Sequence, residues 1–479
     1  MIRPALLPLA LAVALGGCIN LAPDYQRPAL PVADAWPGGS AAPQADAAEP
    51  PAWRDYFADA RLRELIELAL ANNRDLRVAA LSIDKARASY RVQSAALLPG
   101  VDASAGQTVT HTPGSLTSSG QSTTSRQYSA ELGISAWELD FFGRLRNLQD
   151  AALQSYFATA EAQRSTQLSL IAELANAWLT LAADRERLAL AQETLASQQN
   201  SYELTRRSTE RGVSSGLDLA QASTSVESAR ADVASYTTQV AQDHNALRLL
   251  AGTDVPERLL PTRLPDDAMR VLGELPVGLP STVLLRRPDI LQAEHTLAAA
   301  SADIGAARAA FFPTITLTTR GGSASDHLSG LFSAGSGVWS FAPALSLPIF
   351  DAGSNQANLD AARASRDIAV ADYEKAIQTA FKEVADALAT RATLDEQLAA
   401  RRALVAASEE AYRLSEARFR RGIDSYLTTL IWQRSQYAAQ QNLISARLAQ
   451  FGNGVTLYKV LGGGASVDGA APVPAVAVR

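Results

Sequence analysis

The chain is poor in the residues that cross-link small folds or build reactive centres. It has one cysteine, Cys18, so no disulfide can form within it. Its four histidines, His111, His244, His295 and His327, are scattered, and no two stand at a metal-ligand spacing. No P-loop and no dinucleotide fingerprint occurs. Aromatics are only 6% of the residues, and alanine carries much of the apolar share. Such alanine-rich, charge-laced sequence favours long helices over a compact enzyme core. Basic charge is not in excess. The net charge of −6 offers no basic face, so no nucleic-acid partner is expected. After residue 17 no apolar run is long enough to cross a bilayer as a helix. Neither catalysis nor a cofactor is expected.

What is present begins with an address. Residues 1–17 read as an export signal, with Arg3 followed by an apolar run from Ala5 to Leu15. The run is too short to span a bilayer and ends in Leu15-Gly16-Gly17-Cys18. Small residues before a cysteine at that place resemble the bacterial lipoprotein box, which implies cleavage before Cys18 and its acylation. An ordinary signal peptide with a chance cysteine is the competing reading. Ile19 follows where lipoproteins of the inner membrane often carry Asp, which favours sorting to the outer membrane. Residues 18–60 read as a lipid-anchored extended segment, rich in Pro, Ala and Gly to about Pro51. Residues 462–479 read as a loose tail.

Between these ends the chain repeats itself. Tyr202, Leu204, Arg211, Gly212, Ser215 and Leu217 recur 210 positions later as Tyr412, Leu414, Arg421, Gly422, Ser425 and Leu427. Earlier in each half the offset is 214, pairing Asp75 with Asp289, Ala86 with Ala300 and Pro99 with Pro313. The repeats are 61–252 and 282–461, joined by a linker at 253–281. Each opens with a helical stretch, 61–97 and 282–312, stopped by Pro99 or Pro313. A strand hairpin follows, 101–139 and 314–348. Then comes a helical run without glycine or proline, Arg144 to Arg211 and Asn355 to Arg421. Each run would reach about 100 Å as one helix. A helix of that length needs a partner in water. Gly212 and Gly422 end the runs where a left-handed cap suits glycine. Return helices at 213–251 and 423–451 supply the partner.

The strand candidates are 101–112, 127–139, 314–324 and 337–348. In the second, Tyr128, Ala130, Leu132, Ile134 and Ala136 share one face. In the fourth, Trp339, Phe341, Leu345 and Leu347 face away from Ser340, Ala342, Ala344 and Ser346. Period-two alternation of this kind suits a half-buried sheet or a lipid-facing barrel strand. The lengths match a tilted bilayer crossing. Trp137, Phe141, Phe142, Phe311, Phe312 and Phe350 sit at strand ends, as an interfacial girdle would. Four strands cannot close a barrel, since the smallest have about eight. If the chain crosses a membrane, several copies must share one barrel.

With these features in place the sequence resembles the outer membrane factor family, the TolC- and OprM-like channels, and its lipoprotein members above all. The likeness runs from Cys18 to Gly464. It is carried by Pro23-Asp24-Tyr25-Gln26-Arg27-Pro28, Trp137-Glu138-Leu139-Asp140-Phe141-Phe142-Gly143 and Leu284 to Asp289. Phe311-Phe312-Pro313, Pro348-Ile349-Phe350-Asp351-Ala352-Gly353 and Leu457-Tyr458-Lys459 continue it. The resemblance implies a mainly α, internally duplicated fold. Its long helices form a periplasmic α-barrel, and its four strands join a shared, twelve-stranded β-barrel in a homotrimer. A mixed belt would use residues around 180–200, 253–281 and the C-terminal region. The implied function is a passive exit duct for small molecules such as drugs. Its implied partners are a periplasmic adaptor, an inner-membrane pump of the resistance-nodulation-division type and outer-membrane lipid. A type I protein-secretion conduit shares the architecture, and a lipid-anchored coiled-coil adaptor or adhesin is the reading from another class. The resemblance also places the periplasmic gate at the second repeat's turn, among Arg420, Arg421, Asp424, Leu427, Ile431 and Arg434. Leu427 and Arg434 align with aperture positions of OprM-like members. Where such members commonly carry aspartate, this chain has Ile431. The spacing of Asp424, Leu427, Ile431 and Arg434 places all four along one face of the return helix.

Overall fold

The computed structural model describes residues 19–36, 50–265, 272–273 and 281–463. Cys18, the export signal, most of the linker's second half and the tail from residue 464 lie outside the described residues. The chain divides into two units. One holds residues up to Ala29, Leu81–Ala160 and Gln292–Glu374. The other holds Leu30–Ala80, Glu161–Leu291 and the chain from Lys375. The described elements run α1 (Ala60–Asn72), α2 (Arg74–Ala95), β1 (Asp102–Thr112), β2 (Thr123–Glu138), α3 (Arg144–Glu210) and α4 (Gly216–Ala251). The second repeat follows as α5 (Pro288–Ala309), β3 (Thr314–Ser325), β4 (Gly337–Ser346), α6 (Ser354–Arg420) and α7 (Tyr426–Val460).

The first unit carries the sheet. Its strands lie in chain order, β1-β2-β3-β4, all antiparallel. Every residue of β4 is exposed, including Trp339 at 83% and Phe341 at 61%. β1 is exposed along almost its whole length. The expected run of one face through Ala136 fails: the β2–β3 register shifts between Ile134 and Trp137, and Ala136 has φ 49. A bulge inserts an extra residue and re-aims the chain beyond it. β2 also starts at Thr123 rather than 127.

Two family motifs build the corners where strand becomes long helix. Asp140 Oδ2 accepts the Arg146 N–H at 3.0 Å, and Asp351 Oδ2 accepts the Asn355 N–H at 2.8 Å. Each carboxylate takes a donor that a helix N-terminus leaves unpaired. Gly143 and Gly353 turn the chain there with φ 75 and 87. The strap at 19–29 is held by Arg27, whose Nε and Nη2 donate to Glu294 at 2.8 and 2.9 Å. It passes over Gly305, where a Cβ would stand 2.7 Å from the Ala22 nitrogen.

The second unit holds the core. α1 is capped by Asp59, whose side chain accepts from the Arg61 and Leu62 amides, and it buries Leu62, Leu65, Ile66 and Ala69 at helical spacing. Tyr56 stacks on Tyr458 at 4.5 Å, and Phe57 meets both edge-on. Trp178 is fully buried and donates its indole N–H to the Leu259 carbonyl at 2.9 Å. Arg287 of the Leu284–Asp289 motif is also buried. It donates to Asp289, Glu383 and the Val460 carbonyl, tying the second repeat's start to its end.

Several helix boundaries depart from the sequence reading. The stretch 61–97 breaks at Asn73, which turns extended, accepts the Leu76 N–H and donates to the Leu250 carbonyl at 2.9 Å. At 282–312 a 3₁₀ segment, Ser281–Arg286, precedes the α-helix. The last helix starts at Tyr426 and runs on past 451 to Val460, straight through Gly452 and Gly454. A Cβ at Gly454 would stand 2.6 Å from Leu272 Cδ1, and its carbonyl accepts the Tyr56 hydroxyl at 2.8 Å. Close packing, not chain termination, explains that glycine.

Candidate functional site

Both repeat turns lie in the second unit and share one backbone design. Gly212 and Gly422 each have φ 71, a left-handed conformation that costs other residues strain. After each glycine the chain re-enters a helix through a serine N-cap, Ser215 or Ser425. The stabilising chemistry then diverges. Ser215 and Asp218 form a reciprocal capping box. Ser425 lacks that box, and Arg418 instead grips Asp424 with two hydrogen bonds of 2.6 and 2.9 Å. The guanidinium holds the Asp424 carboxyl below the usual carboxylate range.

The turns are joined by a small apolar cluster. Ala222 of α4 packs with Tyr426 and Leu430 of α7, flanked by Tyr202 of α3 and Phe419 of α6. This seam decides the faces of α7. Tyr426, Thr429, Leu430 and Gln433 are buried along it. Leu427 and Ile431 point the other way and are 44% and 55% exposed. Ile423 and Trp432 are exposed beside them, and Val213 and Leu217 are exposed at the first turn. Above the cluster, polar bonds tie the return helices together. Arg434 donates to Ser225 Oγ at 3.2 Å, the Tyr437 hydroxyl to Asp232 at 3.2 Å, and the Tyr236 hydroxyl to Gln441 at 3.0 Å.

The four residues expected along one face of the return helix are therefore not one stripe. Leu427, Ile431 and Arg434 do share the exposed face of α7. Asp424 does not, because it precedes the N-cap and lies in the turn, paired with Arg418. Arg420 is paired with Glu416 at 2.7 Å on α6. Arg421 is exposed at the turn and has no ion pair among the described residues. The sequence reading gave no partner to Ser225, Arg418, Phe419 or Tyr426. Their signal was faint, since each acts through a partner on another helix or across the turn.

The family model for outer membrane efflux proteins matches residues 65–253 and 279–463. The chain belongs to the outer membrane efflux protein family. It is 51% identical, over 96% of each chain, to the antibiotic efflux pump outer membrane protein ArpC of Pseudomonas putida. The same identity and coverage relate it to the toluene efflux pump outer membrane protein TtgC of that species. Among solved structures, the open state of the Neisseria gonorrhoeae MtrE outer membrane channel superposes with a TM-score of 0.83. That match is 39% identical and covers 93% of this chain and 98% of the other. The family is one of outer-membrane efflux channels.

Proposed function

We propose that three copies of this chain form one outer-membrane duct through which small molecules leave the cell. The observation that carries this is the sheet. It has four strands with both edges, β1 and β4, unpaired among the described residues, and large apolar side chains lie exposed on β4. An exposed edge invites another strand, and a membrane accepts strands only in a closed barrel. Three fourfold contributions give twelve strands, with β1 of one copy pairing with β4 of the next. The duct is passive. An inner-membrane pump of the resistance-nodulation-division type supplies the energy, reached through a periplasmic adaptor, and Cys18 carries the lipid anchor. The relatives' names, antibiotic and toluene efflux pump proteins, favour small molecules over secreted proteins as cargo. At the turns, Leu427 faces the threefold axis and forms an apolar constriction, with Ile431 as a second apolar layer one turn along. Ions resist such a constriction because little there replaces their hydration.

Light scattering on detergent-extracted protein tests the assembly. The expected protein mass is about 150 kDa, three times the chain under closed symmetry. Planar-bilayer recording of the same preparation should show channels. A folded monomer that keeps its strand signal in lipid and conducts nothing would overturn the reading.

A further inference from the structure

The second unit buries two carboxyls where α3 and α4 meet. Asp184 of α3 is 3% exposed and Asp243 of α4 is 9% exposed. Their carboxyl groups lie within hydrogen-bonding reach of each other. One cation pairs with Asp184 and acts on Asp243 only through its charge. Arg187 Nη1 donates to Asp184 Oδ1 at 2.5 Å, and its Nη2 donates to Ser445 Oγ of α7 at 2.8 Å. Asp243 Oδ1 accepts from Gln239 Nε2 at 3.3 Å, while Asp243 Oδ2 is buried and has no donor. The other polar groups nearby satisfy one another. Tyr236 of α4 donates to Gln441 of α7, and Asp232 has Tyr437 as its donor. The charged groups that act most on Asp243 are Asp184 and Arg187, both on α3, and the Asp232 carboxylate acts with them on the neighbouring Tyr236.

The count of charges decides the protonation state. Two ionised carboxylates with one guanidinium would leave a buried negative charge and press two acceptors together with no hydrogen between them. Both are costly in a buried site. We propose that Asp243 keeps a proton on Oδ2 and donates it to Asp184, and that this shared proton clamps α3 to α4. The triad of Asp184, Arg187 and Asp243 is then neutral, and the donorless oxygen becomes a donor. The proton is the ligand of this site.

Burial, helped by the adjacent Asp184, pushes the Asp243 carboxyl up from 3.8 to about 6. The clamped state thus binds the proton more tightly than an opened one. Below pH ~4 both states are protonated and pH does not matter. Between about pH 4 and about pH 6 the opened state has released its proton while the clamped state still holds it, so the seam loosens as pH rises. Above about pH 6 the effect levels off, at about a hundredfold in the opening constant overall.

Amide hydrogen exchange on the detergent-solubilised full protein reads this directly. After division by intrinsic rates, opening over residues 180–190 and 239–247 should increase roughly tenfold from about pH 5 to about pH 7.5. Residues 62–69 of α1 serve as the control and should stay flat. Asp243→Asn supplies a permanent N–H in place of the proton and should abolish the pH dependence while keeping protection. Isotope-edited infrared spectroscopy of the unaltered protein at pH ~5 should show a protonated carboxyl that Asp243→Asn removes. Exchange over the seam that does not change with pH, or the absence of that protonated carboxyl, would overturn the proposal. If Asp243→Asn fails to fold, loss of the carboxyl band on titrating the unaltered protein past pH ~6 decides it.

Discussion

Leu427 and Ile431 keep about half of their surface exposed on a single chain, away from the buried seam of α7. In the first turns of α7 the buried positions are Tyr426, Thr429, Leu430 and Gln433, on another face of the helix. Truncating Leu427 to alanine should therefore change subunit stability by no more than about 0.5 kcal/mol, the range for exposed positions. Its resting conductance in planar bilayers should rise, and cells carrying it should leak bulky antibiotics. A loss of about 2–5 kcal/mol in trimer stability with unchanged conductance would instead mark Leu427 as a packing residue. Ile431→Asp probes the next layer. Three close carboxyls would repel one another, and their pKa values would rise. The variant's cation preference should then grow as pH rises and the carboxyls ionise, while the parent's at this level should not. Reversal-potential measurements at several pH values distinguish them.

At the scale of elements, the turns and corners explain most of the short motifs. Asp140 and Asp351 cap the long helices, Arg287 ties α5 to α6 and α7, and Gly212 and Gly422 allow the chain to reverse. Gly422→Ala should cost about 1–2 kcal/mol locally because its φ of 71 lies in the left-handed region. Amide exchange across residues 418–426 should accelerate by about tenfold. Gly422→Asn should recover much of that loss, since asparagine visits the region more readily. Equal acceleration by both substitutions would mean that something other than backbone conformation governs the turn.

For the whole molecule, the two proposed attachments to the membrane, barrel and lipid, should be of unequal strength. A closed barrel buries its strands in lipid, whereas one acyl-bearing cysteine adds a second, weaker hold. Cys18→Ser, expressed with an export signal that does not depend on acylation, should lose radiolabelled palmitate. It should fractionate less completely with outer membranes, yet still yield trimers by light scattering. An unmodified Cys18 in the mature protein by mass spectrometry would remove lipidation from this account.

The sequence by itself determined the elements and their order. Glycine-free and proline-free runs become α3 and α6 because helix propensity accumulates over dozens of residues without interruption. The 210-residue repeat was legible because the same turn, with glycine at φ 71, is needed twice. Four strands and their order were legible from period-two alternation. Tertiary structure decided what depends on a distant partner. Asn73 breaks a helix because Leu250 stands ready to receive its amide. Gly454 does not break α7, because Tyr56 and Leu272 pack against it there. Asp424 leaves the candidate stripe because Arg418 holds it in the turn. The Asp184–Asp243 pair was invisible in the sequence, since its members are far apart along the chain and each alone is an ordinary helix aspartate. Periodicity reports which face of a helix is apolar. It cannot report which residue from elsewhere meets that face, and the protonation of a buried carboxyl depends on that meeting.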